Sequence, residues 1–179
     1  MGLREYPILE KILELAAHPT DPIIREKALK YFIDNFNDKY RKDYNDQMFI
    51  KIAFLPCSND TYAKPLECFI DPECTIMKFR AIRQDLRFEV EKLGVRQGPS
   101  HFELKNSLIE NPPRDEEARE IFEYMASRNV TGSRHEFYDD LANHKFIPVP
   151  NKIRPDAITY TSPNSCFFIE EQENRYIFG

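Results

Sequence analysis

Thirteen prolines set against five glycines constrain this chain more than any other feature. Proline fixes φ and removes a backbone donor, so it starts or ends an element wherever it stands. Pro7 precedes Ile8, Leu9, Ile12, Leu13, Leu15 and Ala16, a helical spacing that stops near His18-Pro19. Asp21-Pro22 opens a second helix, with Asp21 as N-cap and proline at the first helical position, where a missing N–H costs nothing. Its apolar stripe is Ile24, Ala28, Tyr31, Phe32 and Phe36. The run from Phe49 to Leu55 predicts a strand closed by Pro56. Lys64 is pushed to extended geometry by Pro65, which predicts a return strand at Leu66–Ile70 closed by Asp71-Pro72. Arg83–Leu93 has helical spacing and stops at Gly94, a suitable residue just past a helix end.

The second half repeats this order. Pro99 to Ile109 predicts a helix ending at Asn111-Pro112-Pro113, and Asp115-Glu116-Glu117 begins another, with negative charge at its N-terminus. Gly132-Ser133 breaks the chain, and a short helix carrying Phe137, Tyr138 and Leu141 follows. Lys145–Pro148 and Ala157–Thr161 are strands, and Cys166–Ile169 and Arg175–Phe178 are further candidates. Gly2, Arg4 and Pro7 meet Gly94, Arg96 and Pro99 at an offset of 92. Pro19 meets Pro112 and Tyr31 meets Tyr124 at 93. Phe54-Leu55-Pro56 meets Phe146-Ile147-Pro148, Lys64-Pro65 meets Arg154-Pro155, Pro72 meets Pro163 and Cys74 meets Cys166. The chain is therefore expected to be α+β, two tandem repeats, each a helix pair followed by a small β-hairpin. The first unit covers 1–80, a connecting helix 81–93 and the second unit 94–179. Repeats of this kind cover one another's exposed faces.

At 179 residues and 21.2 kDa the chain holds one domain or two very small ones. Hydrophobic residues make up 41% and charged residues 31%, which provides a core and excludes a disordered composition. Five glycines are too few for phosphate-cradling loops. No apolar run approaches the roughly 20 residues that span a bilayer, and no signal peptide opens the chain. No membrane association is expected. The net charge is −5 and neither half is basic, which disfavours nucleic acid as a partner. Cys57, Cys68, Cys74 and Cys166 read as reduced thiols of an intracellular protein, cytoplasmic or nuclear.

The chemistry-bearing residues form no known catalytic spacing. His18, His101, His135 and His144 are candidate bases, but His18 suits a helix end, and no His-Glu-x-x-His, Cys-x-x-Cys, Gly-x-Ser-x-Gly or phosphate-loop pattern occurs. No catalytic, cofactor-binding or metal residue is assigned, and no cofactor is expected. One stretch is locally basic, Lys78 to Arg96. On a helix Arg80, Arg83 and Arg87 would share one face, a possible partner-binding surface for an acidic protein, although Asp85, Glu89 and Glu91 dilute it.

Gly2-Leu3-Arg4-Glu5-Tyr6-Pro7, the helix pair, Phe54-Leu55-Pro56, Lys64-Pro65-Leu66 and Ser162-Pro163-Asn164-Ser165-Cys166-Phe167-Phe168 together resemble a segment of very large fungal proteins. Those proteins carry an N-terminal heat-shock-protein-90-like (GHKL) ATPase domain and are similar in plan to sacsin and the plant No-vein protein. The resemblance covers roughly residues 2–170 and implies a piece of a longer protein, downstream of the ATPase. The strand-like end Tyr176–Gly179 is what a continuing chain would show. No Asp-x-Gly-x-Gly segment is present, so none of the family's ATPase residues carries over. The expected function is a non-catalytic scaffold or protein-interaction module of a large chaperone-like ATPase protein, with a protein partner or neighbouring domains of its parent chain. The alternatives are a small thiol or histidine hydrolase and a weak nucleic-acid-binding domain using Lys78–Arg96.

Overall fold

Helix α1 (Leu9–Ala16) buries Leu9, Ile12, Leu13 and Ala16, spaced to form one stripe along the helix. Helix α2 (Pro22–Asp34) begins where Asp21 accepts from the backbone N–H groups of Ile23 and Ile24, at 2.9 and 3.0 Å. It buries Ala28, Leu29, Phe32 and Ile33. The two helices pack on each other. A π-helical turn, Phe36–Tyr40, follows at once. The structure is a computed structural model that describes residues 6–18, 20–44, 52–128, 139–150 and 157–166.

Strands β1 (Leu55–Pro56) and β2 (Tyr62–Ala63) form an antiparallel pair with Leu55 opposite Ala63 and Pro56 opposite Tyr62. The return strand thus comes before Lys64-Pro65, not after it as expected. Pro65 starts a 3-10 turn, Pro65–Glu67, a position that suits its fixed φ and missing donor. The expected strand at 66–70 shrinks to β3 (Cys68–Phe69), which pairs in parallel with β4 (Arg80–Ala81) across a 3-10 turn at Pro72–Met77.

The connecting helix expected over 81–93 is not formed. Two 3-10 turns, Gln84–Leu86 and Glu91–Leu93, stand there instead. Both ends of the segment are pegged in extended form. Ile82 donates to Phe69 O at 2.8 Å and Arg83 to Pro56 O at 3.0 Å. Beyond Gly94, whose φ of 86° only glycine adopts freely, Ile70 and Asp71 donate to Arg96 O and Gln97 O at 3.0 and 2.9 Å. The apolar residues that mimic helical spacing are met by turns, and Ile82, Val90, Leu93 and Val95 join the core of α1 and α2. The compact unit accordingly runs Met1–Pro99, so residues 81–99 belong to it and do not bridge it to the next.

Phe32 is fully buried at the centre of this core. Its ring meets Phe36, Tyr40, Tyr44 and Phe54 at centroid distances of 5.6, 5.7, 5.9 and 5.8 Å. Tyr40 donates to Pro7 O at 3.1 Å and Tyr44 to Leu93 O at 2.8 Å. Burial first, then its contacts with Tyr31, push the Tyr40 phenol up to about 12, so it stays a donor.

The second unit, Ser100–Gly179, holds helix α3 (His101–Glu110), helix α4 (Asp115–Ser127) and the antiparallel strands β5 (Ile147–Pro150) and β6 (Ile158–Thr161). Ser100 and Glu103 form a reciprocal capping box at the start of α3. Ile147 lies opposite Thr161 and Pro148 opposite Tyr160. A 3-10 turn, Pro163–Ser165, follows β6. Gly132-Ser133, Phe137, Tyr138, Arg154-Pro155 and Arg175–Phe178 lie outside the described residues. The observed class is α+β, helices with small two-stranded sheets.

Truncating the ring at the centre of the first core tests this packing. Phe32→Ala is expected to cost about 3–5 kcal/mol of stability by denaturant unfolding. A loss below about 1 kcal/mol would contradict the central place given to this ring.

Candidate functional site

Helix α2 turns one face outward from the core. Glu26, Leu29, Lys30, Ile33 and Asp34 recur at helical spacing along it and form one wall of a groove of about 340 Å³. Arg83, Asp85, Leu86 and Glu89 form the other wall. Leu29 and Ile33 are buried and Leu86 is partly buried against the core, so the floor is apolar. The rim is charged, with four carboxylates and two cations among the lining residues.

Arg83 closes one end. Its Nη1 and Nη2 donate to the two oxygens of Glu26 at 2.6 and 3.0 Å, and its Nε and Nη2 donate to Asp85 at 2.7 and 3.0 Å. This forked geometry is what guanidinium provides and ammonium does not. Hydrogen bonds from Arg83 hold the Glu26 and Asp85 carboxyls below the usual carboxylate range, and bonds to Glu26 and then Asp85 raise the guanidinium in turn. The other end is held by two lysines. Lys30 meets Asp34 at 3.4 Å. Lys92 meets Glu89 at 2.7 Å and donates to Ile33 O at 3.4 Å.

The three arginines named from sequence are not on one helix face. Arg80 lies on β4, 3.5 Å from Glu67. Arg83 is held by Glu26 and Asp85 at the groove end. Arg87 follows the first 3-10 turn, with its guanidinium 4.8 Å from the centre of the Phe88 ring. Carboxylates neutralise Arg80, Arg83 and Lys92, so the basic stretch of the sequence becomes a mixed surface beside a groove of net negative lining. The groove was not foreseen. Its sequence signal was the row of charged residues at 26, 30 and 34 on a helix whose buried stripe is 28, 29, 32 and 33, but its second wall comes from a segment some fifty residues away.

The thiols of the first unit are buried. Cys57 Sγ contacts Leu55 O at 3.9 Å and Cys68 Sγ contacts Lys64 O at 3.5 Å. The hydrogen bond with Cys57, together with burial, pushes the Cys68 thiol up, and burial pushes Cys74 up to about 12. The bond with Cys68 holds the Cys57 thiol below its usual range against burial, with Thr61 and Arg80 acting in the same direction. His18 Nδ1 accepts from Thr20 N at 3.4 Å, at the end of α1, where sequence placed it as an end residue. His101 is the first residue of α3. His144 donates its backbone N–H to Leu141 O at 3.0 Å, beside Asp140, which pairs with Lys105. His135 lies outside the described residues. Among the described residues no three His, Cys, Asp or Glu side chains gather as a metal site, and no helix is long and apolar enough to cross a membrane.

The fold and groove define an α+β chain of two compact units with a charged-rim groove on the first. A family model described as "Protein of unknown function (DUF3684)" matches residues 1–179, and the chain belongs to that family. No curated protein and no solved structure matches it.

Thiol labelling under native conditions separates the cysteines. Cys166, partly exposed, is expected to react with a disulfide reagent first, while Cys57, Cys68 and Cys74 react only on unfolding. Rapid labelling of Cys57 in the folded chain would contradict this order and favour a thiol hydrolase.

Proposed function

We propose that this chain is a non-catalytic scaffold and protein-interaction module built from two tandem units of one plan. The observation that carries this reading is the correspondence of the elements. Helices α1 and α3 begin 92 residues apart, and α2 and α4 are both 13 residues long and begin 93 apart. Leu55-Pro56 of β1 and Ile147-Pro148 of β5 lie 92 apart, and each proline faces a tyrosine, Tyr62 and Tyr160. Beyond the tyrosines the offset becomes 98. Tyr62-Ala63-Lys64-Pro65-Leu66-Glu67-Cys68 runs parallel to Tyr160-Thr161-Ser162-Pro163-Asn164-Ser165-Cys166. In both, proline starts a 3-10 turn, closed by Glu67 N donating to Lys64 O and Ser165 N to Ser162 O, each at 2.9 Å.

This register pairs Pro65 with Pro163 and Cys68 with Cys166, in place of the pairs Pro72 with Pro163 and Cys74 with Cys166 that a near-constant offset suggests. The second hairpin has six more residues than the first between the paired proline and tyrosine, which accounts for the shift. Units repeated in this way extend a surface, which is the use that repeat proteins make of them. The resemblance to large GHKL ATPase proteins supports a place in such a parent, where the units hold a client or relay movement from the ATPase domain. Four free cysteines are in keeping with an intracellular setting, cytoplasmic or nuclear.

The test is removal of this segment from the full-length parent, with its bound proteins and ATP hydrolysis measured together. The reading expects specific protein partners to be lost while ATP hydrolysis by the isolated parent persists. An unchanged set of partners would contradict it.

A further inference from the structure

The groove on α2 combines features that complement one kind of side chain. Its floor of Leu29, Ile33 and Leu86 suits an aliphatic stem. Its rim carries Glu26, Asp34, Asp85 and Glu89 against Lys30 and Arg83. Arg83 is spent on Glu26 and Asp85, whereas Asp34 and Glu89 each meet a single lysine. The Lys30–Asp34 pair is long and open, with side chains 79% and 54% exposed, and such pairs hold weakly and exchange readily. A guanidinium entering from outside would offer each of these carboxylates a forked pair that ammonium cannot form. Next to Glu89 stands Phe88, 83% exposed, an aromatic side chain of the kind that anchors protein contacts.

Resting on the interaction-module reading, we propose that this groove docks a basic segment of a partner protein. An arginine of the partner lays its methylene stem over Leu29, Ile33 and Leu86. Its guanidinium sits between Asp34 and Glu89 and displaces Lys30 and Lys92 to solvent. Phe88 packs against apolar residues that flank the arginine. The occupant is basic, opposite in sign to the acidic partner that the arginine-rich sequence suggests, because carboxylates answer Arg80 and Arg83 and leave the groove lining net negative.

The probe is a fluorescein-labelled Leu-Arg-Leu-Arg-Leu peptide, titrated against the whole chain by fluorescence anisotropy, with Leu-Glu-Leu-Glu-Leu beside it. The arginine peptide is expected to bind and the glutamate peptide not. Asp34→Asn with Glu89→Gln is expected to weaken binding roughly five-fold, and added salt to weaken it further. Phe88→Ala should weaken it as well. Glu116→Gln with Glu117→Gln, on α4, controls for attraction to the net charge of −5 and should change nothing. Both groove carboxylates are exposed, and circular dichroism checks that the fold is kept; Glu89→Gln alone serves if the double variant unfolds. Equal binding of the two peptides, no binding of either, or equal weakening by the groove and control variants would overturn the proposal. In the full-length parent, partners retained after Asp34→Asn with Glu89→Gln but lost on deletion of the segment would overturn the groove and leave the module reading intact.

Discussion

The first unit depends on the contact between Phe32 and Phe54. Phe32 belongs to α2 and Phe54 leads into β1, so one edge-on ring contact of 5.8 Å joins the helix pair to the hairpin. The rest is built outward from it. With β1 fixed, Pro56 O is placed to accept from Arg83, and Ser58 N to donate to Ala81 O at 2.9 Å. With β4 thereby placed, β3 pairs with it, and the far side of β3 is open to Arg96 and Gln97. Short strands of two residues cannot hold themselves. They persist because each is tied to a buried aromatic or aliphatic residue on one side of it.

The groove exists where two 3-10 turns, and not a helix, face α2. The turns drop Val90 and Leu93 into the core and leave Leu86 at the edge, with Asp85 and Glu89 facing α2 across an opening. Arg83 then spans that opening to Glu26 while it also holds Asp85 on its own wall. The charge of the surface is decided by which residues meet in space, since a cation that answers two carboxylates counts for little toward a distant partner.

Much of the fold was legible in the chain. The Asp21-Pro22 cap and the helix that begins at Asp115 follow from chemistry confined to a few neighbouring residues, whereas the strand expected over 49–55 is reduced, among the described residues, to Leu55–Pro56 with Pro56 inside it. Gly94 was rightly placed as a left-handed stop, although the element it stops is a 3-10 turn. Arg83–Leu93 was misread because Leu86, Val90 and Leu93 have the spacing of a helix, and nothing local shows that both flanks are pegged by strand pairing. The return strand was misplaced for a similar reason. Lys64-Pro65 signals extended backbone, but Tyr62-Ala63 already satisfies β1. The groove was hidden because its walls lie some fifty residues apart, and long-range ion pairs such as Glu26 with Arg83 leave no local pattern.

The account stands on residues 80–97 completing the first unit instead of linking it to the second. Native-state hydrogen exchange of three amides tests this most directly: Ile70 and Asp71, which donate to Arg96 O and Gln97 O, and Ile82, which donates to Phe69 O. The account predicts that they exchange with the same protection as the buried amides of α2 around Phe32, as members of one cooperative unit. Exchange at the rate of an open linker, with α2 still protected, would contradict it.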